Sequence, residues 1–151
     1  MKLRTLHLTI ALLSGFGLLL SGYLTYQNLW GAGCSEGFLS GIVSCGGPKK
    51  VLIFGQPTCV YGFAMYLIVF ITNLLATSAQ KLRPYFLTLT TIAIAGTLFS
   101  GGLTFYELFV LKLKFTTLPA CVYGLVLYVG ILAAAWAGLK QTKSPVGMPQ
   151  A

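Results

Sequence analysis

Pro57-Thr-Cys-Val-Tyr-Gly-Phe-Ala-Met-Tyr-Leu-Ile-Val-Phe-Ile-Thr-Asn-Leu-Leu-Ala-Thr77 runs without one charged residue. At about 1.5 Å of rise per residue, a helix of that length crosses the ~30 Å hydrocarbon core of a bilayer. Working outward, three more apolar runs of sufficient length follow the same pattern: Leu6–Trp30, Pro84–Leu111 and Pro119–Leu139. Only 8% of the 151 residues are charged and 56% are hydrophobic, whereas a soluble domain carries about 25% charged residues. The sequence therefore predicts an all-α membrane protein. It is a single four-transmembrane-helix bundle over residues 1–151, with a long extracytoplasmic loop (31–56) between the first and second helices and a disordered tail at 141–151. Lys2 and Arg4 before the first run give it the look of a signal peptide. The run is too long for one and lacks a small-x-small cleavage site, so it is read as a retained helix.

The basic residues set the orientation. Lys2, Arg4, Lys81, Arg83, Lys140 and Lys143 fall on one side with no acidic residue among them. Lys49, Lys50, Lys112 and Lys114 fall on the other, offset by Glu36 and Glu107. That asymmetry puts both termini in the cytoplasm. The net charge of +8 comes from basic pairs flanking apolar runs, which orient helices in lipid and do not form a nucleic-acid surface. No helix carries a buried charge that would suggest ion transport.

On this map all four cysteines lie at the extracytoplasmic face, where disulfides persist. Cys34 and Cys45 are in the loop, while Cys59 and Cys121 open the second and fourth helices. Four cysteines allow three pairings, and spacing does not choose among them. A Cys34–Cys45 bond would close a loop of ten intervening residues, worth a little under ~3 kcal/mol as a staple. The flanking Gly33, Gly37, Gly41 and Gly46 equally suit an exposed pair that exchanges with a soluble thiol protein. Cys59 and Cys121 read either as small buried hydrophobes or as thiols activated by a helix N-terminus.

The chain also repeats. Leu20-Ser-Gly-Tyr-Leu-Thr-Tyr26 echoes Phe99-Ser-Gly-Gly-Leu-Thr-Phe105. Pro57-Thr-Cys-Val-Tyr-Gly-Phe-Ala-Met-Tyr66 echoes Pro119-Ala-Cys-Val-Tyr-Gly-Leu-Val-Leu-Tyr128. Both halves enter the membrane in the same direction, as a parallel repeat about an axis along the membrane normal. Shared demands at an outer helix end explain the Pro and Gly of these echoes and explain the Cys poorly. Equivalent places put Cys59 and Cys121 at one depth. On helices packed directly together ~8–10 Å apart, their Cα atoms could come within ~4–5 Å, inside disulfide reach.

Other candidates carry less. His7 has no carboxylate or Cys companion for a metal, Asn73 reads as an interhelical hydrogen bond, and Glu107 reads as interfacial. Hydrolytic sets such as Ser-His-Asp are absent from the pattern. Apolar Val51–Phe54 suits a segment lying on the membrane or capping the bundle.

With these residues in view, the chain resembles the vitamin K epoxide reductase family of four-helix membrane thiol oxidoreductases. The resemblance runs over most of residues 8–135. It rests on Leu-Ser-Gly-Tyr-Leu-Thr-Tyr ending helix one, loop Cys34 followed by Ser44-Cys45, Phe54-Gly55-Gln-Pro57 entering helix two, and Ser100-Gly-Gly-Leu-Thr-Phe-Tyr-Glu-Leu before helix four. It implies a loop pair, Cys34 and Cys45, that takes electrons from a thioredoxin-like extracytoplasmic partner. The pair passes them to a Cys-x-x-Cys beginning helix four, which reduces a quinone. Cys121 matches the second cysteine of that motif, and Leu118-Pro-Ala-Cys121 lacks the first. The segment after Cys45 is shorter than the family's and lacks its serine.

The resemblance implies a quinone-linked thiol–disulfide oxidoreductase supporting extracytoplasmic disulfide formation, with Cys59 standing in for the missing thiol. The rival is a catalytically inactive relative with structural disulfides. The expected catalytic set is Cys34, Cys45, Cys59 and Cys121. The expected quinone pocket is Gln56, Thr58, Tyr61, Phe63 and Tyr123, of which Gln56 or Thr58 would meet a quinone carbonyl and Tyr123 would be the helix-four tyrosine. Expected partners are membrane lipid, the quinone and the thioredoxin-like protein.

Overall fold

A computed structural model describes residues 3–30, 43–44, 52–110 and 118–143 of the chain. Four helices carry it: α1 (Leu3–Leu29), α2 (Thr58–Thr77), α3 (Leu82–Phe105) and α4 (Ala120–Lys143). All four are long and apolar enough to cross a membrane. α3 continues into a π-helical turn, Tyr106–Val110.

Each helix buries a stripe and turns the rest of its apolar surface outward. In α1 the stripe is Leu6, Ile10, Ser14, Gly17, Ser21 and Leu24, the three- and four-residue spacing of one helix face. Leu8, Leu12, Phe16 and Leu19 on the other face are exposed, as lipid contact requires. Several buried hydroxyls within the helices are satisfied by the carbonyl one turn back. Ser14 Oγ donates to the Ile10 carbonyl at 2.6 Å, Ser21 Oγ to the Gly17 carbonyl at 2.6 Å, and Thr90 Oγ1 to the Phe86 carbonyl at 2.7 Å.

The helices form a ring in chain order. α1 packs on α2 and α4, and α3 packs on the same two, so α2 and α4 face each other across a diagonal. The two halves use one packing device. A Cβ on Gly17 would lie 2.5 Å from Tyr66 Cε1, and one on Gly96 would enter the Tyr128 ring. Glycine at these positions is what lets each tyrosine of α2 and α4 lie against its neighbouring helix. Gly17 and Gly96 are equivalent in the repeat, as are Tyr66 and Tyr128.

At the end where α1 begins, Asn73 is buried and joins two helices. His7 Nδ1 donates to Asn73 Oδ1 at 2.9 Å, and Asn73 Nδ2 donates to the His7 carbonyl at 3.0 Å. The interhelical role expected of Asn73 is met.

Two boundaries, the start of α3 and the end of α4, differ from expectation. α3 starts at Leu82, ahead of Pro84, because a proline inside the first turn removes an N–H that has no helical partner. α4 runs beyond Leu139 to Lys143, so residues 141–143, assigned above to a disordered tail, are helical. Lys140 meets the negative end of the helix dipole, which accommodates it in the last turns. Residues 144–151 lie outside the described residues.

The segment 31–56 is also more than irregular loop. Strand β1 (Val43–Ser44) pairs in parallel with β4 (Leu118–Pro119), matching Val43 to Leu118 and Ser44 to Pro119. Strands β2 (Leu52–Ile53) and β3 (Gln56–Pro57) pair antiparallel. Their two-residue turn has φ 49° at Phe54 and φ 77° at Gly55, the positive values a tight hairpin demands. Phenylalanine rarely adopts that conformation, and its side chain is 96% exposed.

Candidate functional site

A cavity of about 60 Å³ opens inside the bundle at the end where α2 and α4 begin. Thr58, Cys59, Gly62, Met65 and Tyr66 of α2 line it, and so do Ala120, Cys121, Gly124, Leu127 and Tyr128 of α4. These two sets correspond one to one in the repeat. α1 and α3 contribute matched pairs as well: Leu20 with Phe99, Ser21 with Ser100, and Leu24 with Leu103. Gly17 completes the wall. The cavity therefore sits on the pseudo-two-fold axis that the sequence repeat implies.

Two stacked tyrosines close it toward the bundle core. The rings of Tyr66 and Tyr128 are 4.5 Å apart and inclined by 16°, and both side chains are buried, at 3% and 1% exposure. Their hydroxyls differ. Tyr66 Oη donates to the Gly124 carbonyl at 3.0 Å, linking α2 to α4 across the diagonal. Tyr128 Oη is buried with no hydrogen-bond partner. A buried hydroxyl left in that state costs about 1–3 kcal/mol, so a cavity ligand with an acceptor atom would be favoured.

Cys59 and Cys121 are half-buried thiols on this wall, with no bond between their sulfurs in this structure. Asn28 Nδ2, which donates to the Leu24 carbonyl at 2.8 Å, also lies 4.0 Å from Cys59 Sγ. Their Cα approach was expected from directly packed helices, but α2 and α4 are diagonal partners.

Of the residues expected at the site, Thr58, Cys59 and Cys121 are brought together. Gln56, Tyr61, Phe63 and Tyr123 do not line the cavity. Gln56 is exposed on β3, opposite Ile53. Tyr61 Oη donates to the Ile53 carbonyl at 2.9 Å and so ties the hairpin to α2, while its ring lies 6.4 Å from that of Phe99. Phe63 packs against α1 at Gly22, where a Cβ would come within 3.2 Å of Phe63 Cε2. Tyr123 is half-buried on α4. Cys34 and Cys45 lie outside the described residues. Ser44, the residue before Cys45, pairs with Pro119, two residues before Cys121. Leu118, where the resemblance expects the missing cysteine, is on β4, while Gly124, three residues after Cys121, is on the cavity wall.

Sequence reasoning missed Tyr66, Tyr128, Phe99 and Ser100. The signal was present: Tyr66 and Tyr128 end the two ten-residue echoes, and Phe99 and Ser100 begin a seven-residue one.

Among families of known proteins, the model of the vitamin K epoxide reductase family matches residues 8–114. No curated protein matches the chain. The family match takes in α1, the loop cysteines, α2 and α3, and stops before α4 with its Cys121. Four membrane-length apolar helices in one bundle and a match over most of the chain lead to one conclusion: this protein belongs to the vitamin K epoxide reductase family, a family of membrane thiol–disulfide oxidoreductases.

Proposed function

We propose that the protein is a quinone-linked thiol–disulfide oxidoreductase that supports disulfide formation outside the cytoplasm. The observation that carries this is the cavity itself. It puts two thiols, Cys59 and Cys121, on the same wall as a buried, unpartnered Tyr128 hydroxyl. A quinone carbonyl is an acceptor of the kind that hydroxyl lacks, and the Tyr66–Tyr128 plate is a surface on which a quinone ring stacks.

The chemistry balances with the residues named. The dithiol of Cys59 and Cys121 gives two electrons and two protons to a quinone, leaving a disulfide across the cavity and a hydroquinone. Cys34 and Cys45, as a reduced pair, then attack that disulfide and regain the oxidised state themselves. A thioredoxin-like protein outside the cytoplasm supplies the electrons to the loop pair and leaves with a disulfide. The β1–β4 pairing supports this route, because it brings the chain beside Cys45 to the segment opening α4. The Lys and Arg distribution supports cytoplasmic termini and an extracytoplasmic cysteine face.

A second reading is favoured by one feature. Neither position three residues from Cys121, Leu118 or Gly124, is a cysteine. On that reading the chain is a non-catalytic relative whose loop cysteines form a structural staple. Purified protein in lipid nanodiscs, given a reduced thioredoxin-like donor and a short-chain 1,4-quinone, separates the two. Hydroquinone should form, and Cys59→Ala and Cys121→Ala should each abolish it. Wild-type protein without turnover would select the non-catalytic reading, and full activity in Cys59→Ala would remove Cys59 from the route.

A further inference from the structure

The cavity is symmetric in its residues and asymmetric in its hydrogen bonding. On the α1/α2 half two hydroxyls are already committed, Ser21 Oγ to the Gly17 carbonyl at 2.6 Å and Tyr66 Oη to the Gly124 carbonyl at 3.0 Å, while the third, that of Thr58, has no hydroxyl counterpart because Ala120 takes its place in the repeat. On the α3/α4 half neither counterpart makes the matching bond. Tyr128 Oη has no partner. Ser100 is 7% exposed and lines the cavity. Its Oγ lies 3.5 Å from where a Cβ on Gly124 would be, and it makes no hydrogen bond to the carbonyl one turn back that a helix serine takes by default. Ser21 shows that default bond being made at the equivalent place.

A pocket with two-fold-related walls offers two equivalent orientations to a ring with acceptors at opposite edges. Such a ring bound on shape alone would occupy both. Two donors on one half make the two edges unequal: whichever way round the ring enters, the acceptor that faces α3 and α4 is the one they hold.

We propose that Ser100 is a second hydrogen-bond donor to the ligand, and that Ser100 and Tyr128 together hold the carbonyl of a 1,4-quinone that faces α3 and α4. The inference rests on the quinone reading above and adds a residue and a one-sided hydrogen-bonding rule to it. Ser100 touches the ligand and takes no part in electron transfer. Its loss weakens binding and leaves the thiol chemistry intact.

Equilibrium binding separates this from the reading it rests on. The probes are 1,4-naphthoquinone and a short-tail prenylated 1,4-benzoquinone, titrated into protein in nanodiscs and read by quenching of tyrosine emission. Ser100→Ala is expected to weaken binding about three- to tenfold, the loss of one neutral hydrogen bond, and to raise KM with kcat little changed. Ser21→Ala, whose hydroxyl is spent within α1, is expected to lose less. Ser14→Ala removes an equally buried, back-bonded hydroxyl outside the cavity and reports any general cost of deleting a helix hydroxyl. Equal losses in Ser21→Ala and Ser100→Ala, or none in Ser100→Ala while the wild type binds quinone, overturn the one-sided rule and spare the quinone reading. If wild-type protein binds neither probe, the quinone reading falls and the rule falls with it.

Discussion

Gly96→Ala places a methyl group where the Tyr128 ring now lies. The new carbon would sit 2.5 Å from Tyr128 Cδ1, against ~3.5–4.0 Å for ordinary carbon contact. The ring must withdraw by about 1 Å or more, and it is already stacked on Tyr66 at 4.5 Å between centroids. Overpacking of this sort costs about 1–3 kcal/mol, and losing the aromatic stack adds ~0.5–1.5 kcal/mol. Alanine's better helix propensity returns up to ~1 kcal/mol, so a net destabilisation of about 1–3 kcal/mol is expected. Stability alone does not test the site, so the comparison is with Gly138→Ala. There the methyl meets Phe86, 2.5 Å from its Cδ1, among buried residues away from the cavity wall. Both variants should lose similar stability in denaturant titrations in mixed micelles. Quinone reduction per folded molecule should fall at least tenfold in Gly96→Ala and stay near wild type in Gly138→Ala. If the two keep the same KM for quinone, the Tyr66–Tyr128 plate is packing and does not hold the ligand.

Other outcomes follow from single contacts. Asn73→Leu should cost about 1 kcal/mol by stranding His7 Nδ1 and the His7 carbonyl, and quinone KM should not change; a variant as stable as wild type would show that the pair contributes nothing. Gly124→Cys should fold normally, since its Cβ would find Ser100 Oγ at 3.5 Å and Tyr66 Oη at 3.8 Å. It should restore turnover to Cys59→Ala by supplying a Cys-x-x-Cys with Cys121; persistent inactivity would mean that a missing thiol is not what limits the site. Finally, an impermeant maleimide applied to intact cells after mild reduction should label Cys34 and Cys45. Labelling only after permeabilisation would reverse the orientation and undo the redox reading.

The helices were legible because lipid imposes a simple rule: about twenty apolar residues with their polar groups satisfied internally. Their ends were less so, since Pro84 and Lys140 read as boundaries although a first turn tolerates proline and a last turn favours lysine. Of the residues that line the cavity, Cys59 and Cys121 were singled out by residue type and by the repeat, and Thr58 by the resemblance. Tyr61, Phe63 and Tyr123 were chosen for being aromatic and close in sequence to the cysteines. Position along a helix does not reveal which face meets the centre. Tyr66 and Tyr128 are each seven residues past a cysteine, two turns on, and so share its face. The diagonal placement of α2 and α4 could not be read from one chain, because adjacent or opposite helices satisfy the same pattern of apolar stripes. The short β1–β4 pairing was equally hidden, being two residues on each strand.

The Tyr66–Tyr128 plate has a further consequence, for the membrane as an insulator. Beyond it, toward the end where α1 starts, Leu6, Ile10, Val69, Phe86, Leu89 and Ile131 are fully buried at 0% exposure, a dry plug with the tyrosine rings as its lid. A quinone held on the near side of that lid would exchange protons only with the compartment that the loop faces. Electrons from the loop thiols would enter from the same side. Two electrons and two protons would then travel together over one short path, and turnover would carry no net charge across the bilayer. On the proposed function, a bundle built this way would conduct redox equivalents to the lipid-soluble carrier while remaining electrically silent.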